Sequence, residues 1–223
     1  MDLKIVIKPD VNVECRDLFR SAYENRYTWD PDFNGYKGSC VFYDGINEHK
    51  GLFSLDSNFK PIIIDINDDN ITKLISSQLW EVCIHRVRRG FDKVHGDNTF
   101  TLGDTNEIGM EILVGGKNSG DKYRIKDNIV TMVYRNIHGS LINIYTNKVL
   151  HTGSGYLSSN YTSQYFEPST KSPKSAKCHF KDEFICLEDE CTWVLSSRTI
   201  DSEAFNEMPP SSKKFLFQSL IKT

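Results

Sequence analysis

The chain has 223 residues, 39% hydrophobic and 26% charged, with 14 glycines and 7 prolines, a composition that excludes collagen-like, low-complexity and wholly disordered classes. With 27 basic against 30 acidic side chains the net charge is −3, so no global positive field gathers nucleic acid or an anionic membrane, and any such contact has to be local. No Pro/Ser linker divides the sequence, which reads as one domain over residues 1–223 with less ordered ends at 1–10 and 201–223.

The N-terminal stretch from Met1 to Pro9 has an apolar run too short for a signal-peptide core, and no small-residue cleavage site follows it. The run Pro61-Ile62-Ile63-Ile64 falls far below the ~18 residues that span a bilayer. Both features point to a cytoplasmic protein without a transmembrane segment. In that setting the six cysteines, Cys15, Cys40, Cys83, Cys178, Cys186 and Cys191, read as free thiols. None forms a C-x-x-C, although Cys186 and Cys191 flank a polar segment that could bring them together across a hairpin.

From Val11 to Asn25 the residues Val13, Leu18, Phe19, Ala22 and Tyr23 keep a helical period, which predicts a first helix. The ring-rich segment from Tyr27 to Tyr36 is interrupted by Asp30-Pro31 and reads as a loop. Strands at 36–43 and 48–55 flank Asp44-Gly45-Ile46-Asn47, a strong hairpin signal, and a third strand follows at 60–66. Asp68-Asp69-Asn70 then opens a long helix with a stripe of Ile71, Leu74, Ile75, Leu79, Val82, Cys83, Arg86 and Val87, ending at Gly90. From Asn98 onward strand follows strand: 99–102, 110–114, 122–126, 129–135, 140–149, 155–165, 176–187 and 192–200. The tail after Pro209-Pro210 is amphipathic and reads as a short helix.

These elements predict a mainly β (α+β) fold of about eleven antiparallel strands. A sheet of that size curls, so the expected architecture is a strongly curved half-barrel or barrel with the N-terminal helix and the long helix packed on it.

Three segments carry a resemblance. Arg16 to Phe33, Val130 to Gly139 and Thr152-Gly153-Ser154-Gly155-Tyr156-Leu157 together resemble an uncharacterised family of cyanobacteria and chloroplasts, a domain of unknown function. The resemblance implies a phototroph, with plastid relatives in the stroma, and supplies no catalytic residues. The helix-then-meander plan is also similar to the lipoprotein-carrier half-barrels that shelter acyl chains, an architectural likeness that does not fix function.

Candidate chemistry is sparse. The densest polar cluster runs from His85 to His95 and includes Arg86, Arg88, Arg89 and Lys93 at the end of the long helix. There the cations complement the helix dipole, or clamp an anion or acidic partner. Arg135 and His138, where a strand meets the turn at Gly139, would line a polar mouth if a pocket opens there. That pair defines the alternative reading of a small hydrolase or isomerase, although no nucleophile elbow accompanies it. Tyr27 and Trp29 belong to the aromatic segment and are either core or a ligand platform. The six histidines lack H-x-H and H-E-x-x-H spacing, so no metal is expected, and the glycine-rich segments Gly115–Gly120 and Gly153–Gly155 fail the phosphate-loop and dinucleotide patterns. The leading expectation is a non-enzymatic protein that takes a lipid, pigment or protein partner, without cofactor and without nucleic acid.

Overall fold

The computed structural model describes residues 11–187 and 191–223. In chain order its elements are α1 (Val11–Glu24), β1 (Tyr36–Tyr43), β2 (Glu48–Leu55), β3 (Pro61–Ile64), α2 (Asp69–Arg86), α3 (Phe91–His95), β4 (Asn98–Asn106), β5 (Gly109–Gly116), β6 (Lys122–Lys126), β7 (Ile129–Ile137), β8 (Ser140–His151), β9 (Tyr156–Phe166), β10 (Cys178–Leu187), β11 (Thr192–Ser202) and β12 (Ser211–Lys222). The strands form one antiparallel sheet in the order β3-β2-β1-β12-β11-β10-β9-β8-β7-β6-β5-β4. β3 and β4 remain as edges, so the mainly β curved sheet is an open one and does not close into a barrel.

The segment expected to be a less ordered, helical tail is instead β12, paired with β1 on one side and β11 on the other. Phe215 and Phe217 sit two apart and are both buried, which is the period of a strand. The long helix is shorter than expected. It is capped by Asp68, whose carboxylate accepts from the Asn70 and Ile71 amides at 2.8 and 3.2 Å, and it ends at Arg86 because Val87 turns to an extended conformation. Arg88 and Arg89 therefore lie beyond the helix, exposed, and the unexpected short helix α3 follows them. The free-thiol expectation is corrected at Cys186 and Cys191, which form a disulfide; Cys15, Cys40, Cys83 and Cys178 are free. No helix among the described residues is long and apolar enough to cross a membrane.

Two separate apolar cores cover the inner face of the sheet. α1 presents Cys15, Phe19 and Ala22, spaced three to four apart on one side, to Phe100, Ile112, Val114, Tyr123 and Ile125, with Phe91 of α3 at their edge. Arg16 and Arg20 both grip Asp92, at 2.8 and 2.7 Å, and so tie α1 to α3. α2 buries Ile75, Leu79, Val82 and Cys83 against Phe42, Phe53, Leu195, Phe215 and Phe217. Each fully buried aliphatic side chain contributes about 1.5–3 kcal/mol.

Chain segment 25–29 joins the cores. β9 and β10 pair only from Cys178↔Ser163 to Lys181↔Asn160, and below that point the segment bridges to Tyr156 in parallel. The Tyr27 amide donates to the Tyr156 carbonyl at 2.9 Å, and the Tyr156 amide donates to the Asn25 carbonyl at 3.0 Å. Gly155, at φ +154°, makes this approach possible, because a Cβ there would lie 2.6 Å from the Asn25 carbonyl oxygen. The glycine that interrupts the strand pattern thus marks a close backbone approach.

Candidate functional site

Register shows which side chains share the inner face. Ile112, Tyr123, Val133, Ile144, Ser163, Cys178 and Ser202 stand directly opposite one another from β5 to β11. At one end of this row Tyr123 lies 4.4 Å from the Phe19 ring of α1. One step along the strands, Tyr161 stacks on Phe180 at 4.6 Å and its hydroxyl donates to Glu81 of α2 at 3.3 Å. Both helices therefore lie on the same face. α1 packs on β4, β6 and β7, and α2 beside β3, while Leu150, Leu157, Phe184 and Leu187 of β8, β9 and β10 join the core under α2. Between the helices the inner face carries Val133, Ile144, Ser163, Tyr165 and Phe180. Ile144 and Phe180 are half-buried and Tyr165 is 42% exposed.

A buried polar network lies between α2 and the sheet. Arg198 makes two bonds to Asp182, at 2.8 and 2.7 Å, and donates to Gln78 at 3.1 Å and to the Tyr161 hydroxyl at 3.0 Å; Glu81 lies 3.3 Å from its guanidinium. A buried charge pair costs too much desolvation to be a large net stabiliser, but this one fixes α2 over β10 and β11. The Tyr161 hydroxyl is held well above its ordinary pKa by burial, against the opposing pull of Arg198, so it stays a neutral donor.

His85 stands in the last turn of α2. Desolvation by the surrounding protein, then the charges of Arg86, Arg26, Arg198 and Arg89, push its pKa well below the usual histidine value, although the ring keeps an open edge to solvent. It is neutral at pH 7. Arg86 donates from Nη1 to the Tyr27 carbonyl at 2.8 Å, and its buried Nε has no acceptor.

The remaining expected site residues are dispersed. Arg135 is on the inner face but is engaged by the buried Asp121 at 2.8 Å. His138 sits with φ +50° in the exposed β7–β8 turn. Tyr27 and Trp29 are core residues: the Trp193 amide donates to the Tyr27 hydroxyl and the Trp29 indole donates to the Trp193 carbonyl, both at 2.9 Å. Arg26 and Arg198 went unrecognised in the sequence. No group of three metal-ligating side chains occurs among the described residues. Two clefts lie elsewhere, one of 390 Å³ bordered by Glu111, Arg124, Tyr134 and Tyr145 on the outer face, the other of 300 Å³ where β9 and β10 diverge.

No curated protein matches the chain significantly. Among solved structures, a LolA superfamily protein of Nitrosomonas europaea is 6% identical, with 94% of this chain and 93% of that one covered at a TM-score of 0.33. A DUF1329 family protein of Desulfovibrio piger is 10% identical, with 96% and 93% covered at a TM-score of 0.30. The family model for "Protein of unknown function (DUF3386)" matches residues 11–222, nearly the whole length, and the chain belongs to that family.

Proposed function

We propose that this protein is a non-enzymatic binding protein that shelters an apolar or amphipathic ligand on the inner face between α1 and α2. The observation that carries the reading is a strip of partly open apolar side chains on the inner face. Two cores are packed on either side of it, while Ile144, Tyr165 and Phe180 remain partly open between them. Half-covered apolar surface in a concave setting with a few polar groups at its margin is the usual make-up of a small-molecule site. The phototroph setting, and with it a lipid, pigment or assembly partner, rests on the sequence resemblance alone. The cytoplasmic or stromal placing rests on the sequence reading alone.

The hydrolase or isomerase alternative has less support. Its histidine stands in an exposed turn and its arginine is occupied by Asp121, so this pair does not present a general base to a common substrate position.

Native mass spectrometry of protein purified without detergent tests the binding reading. A non-covalent adduct of a few hundred daltons, removed by organic extraction and restored by adding a lipid extract back, is the expected result. A bare polypeptide mass that no lipid extract alters would contradict it.

A further inference from the structure

The two faces of α2 meet different surroundings. Ile75, Leu79, Val82 and Cys83 are buried against the sheet. On the opposite side, four and three positions apart and so on one stripe, stand Trp80, 50% exposed, Ile84, partly exposed, and Val87, 36% exposed. Val87 caps the helix, but its amide still donates to the Cys83 carbonyl at 3.0 Å, which keeps it at its helical position. Arg88 and Arg89 follow directly and are exposed, and among the described residues neither forms an ion pair. From Trp80 to Gly90 the single acidic residue is Glu81, whose carboxylate is taken up by Tyr161 and Arg198. The next one, Asp92, is gripped by Arg16 and Arg20. Two unpaired cations therefore adjoin an exposed apolar stripe about 10 Å long.

The Trp80 ring is an apolar body with one polar N–H, a mixture favoured at the headgroup level of a bilayer. Acidic side chains alone would answer the two arginines but not the indole and its aliphatic neighbours. We propose that the solvent face of α2 from Trp80 to Val87, together with Arg88 and Arg89, seats the protein on the surface of an anionic lipid bilayer. The aromatic and aliphatic side chains enter the interface, and the arginine pair meets the lipid phosphates. The net charge of −3 opposes general adsorption, so the contact is confined to this patch and is reversible. Because α2 rests on the inner face, docking through its outer side puts the bilayer on the same side of the sheet as Ile144, Tyr165 and Phe180. The patch is separate from that strip, and the proposal does not depend on the ligand reading.

Flotation of the intact protein with vesicles of phosphatidylcholine, alone or mixed with phosphatidylglycerol, tests the proposal. The protein should float with the mixed vesicles and stay behind with the neutral ones, and rising salt should release it. Tryptophan emission should move to the blue on binding. That shift should vanish in Trp80→Ala, which also weakens flotation, because Trp29 is already buried and Trp193 already packs against the core. Arg88→Gln combined with Arg89→Gln should weaken partitioning about thirtyfold. These variants alter exposed side chains and should unfold at the parent's urea midpoint, so a loss of flotation reports on the surface and not on the fold. Absence of flotation with the mixed vesicles, or flotation that the arginine variant leaves unchanged, would overturn the proposal. Salt-sensitive retention on immobilised polyglutamate by protein that ignores both vesicles would also overturn it, and would assign the patch to an acidic protein partner.

Discussion

At the scale of single residues, the histidines show how local sequence misleads about chemistry. His95 was part of the basic cluster in the sequence, yet it is buried among Phe19, Tyr23 and Phe91 and lies 3.1 Å from the Asn98 amide nitrogen. Burial, then the charges of Arg135, Arg26 and Arg16, push its pKa down from 6.5 to about 4. Because the folded value is depressed, the unfolded chain takes the proton first. The stabilising contribution of the neutral ring is complete above pH 6.5 and is lost as pH falls through 4. Unfolding free energy measured by urea titration should therefore drop between pH 7 and pH 4 by roughly 2–3 kcal/mol more in the parent protein than in His95→Gln. Parallel pH profiles would show that the imidazole is not held neutral by the fold.

At the scale of elements, the clearest test concerns β12. Phe217 is 2% exposed and meets Phe53 edge-on at 5.3 Å, in a strand that separates β1 from β11. Truncation to alanine should cost about 3–5 kcal/mol in urea unfolding. A loss below about 1 kcal/mol would mean that the tail is not a core strand. This was also the element least legible in the sequence, because Phe215-Leu216-Phe217 is a contiguous apolar run that fits a helix or a strand equally. By contrast β1 and β2 were legible to the residue, since Asp44-Gly45 imposes the turn and fixes the register; the Asp44 carboxylate accepts from the Ile46 and Asn47 amides at 2.8 and 2.7 Å. The start of α2 was legible through the Asp68 cap. Its end was not, because nothing in Arg86-Val87-Arg88-Arg89 shows that Val87 leaves the helix. Among candidate site residues, the sequence singles out His85 and Arg86 by their density of charge. It missed Arg26 and Arg198 because their roles depend on strand register and on a crossing segment, with Arg198 facing a carboxylate 16 positions away, and neither relation leaves a local pattern.

At the scale of the whole molecule, the proposed binding role depends on what the sheet leaves uncovered. An open sheet of twelve strands offers more inner surface than two helices can cover, and Ile144, Tyr165 and Phe180 stay partly open between α1 and α2. Segment 25–29 holds the two halves at a fixed spacing by bonding to β9, β11 and α2. The crystal structure of the protein grown with oleate tests the central claim most directly. The account predicts density for an extended chain on the inner face over Ile144, Tyr165 and Phe180. Ligand density confined to the outer face, or an empty inner face in crystals of protein shown to bind oleate in solution, would contradict it.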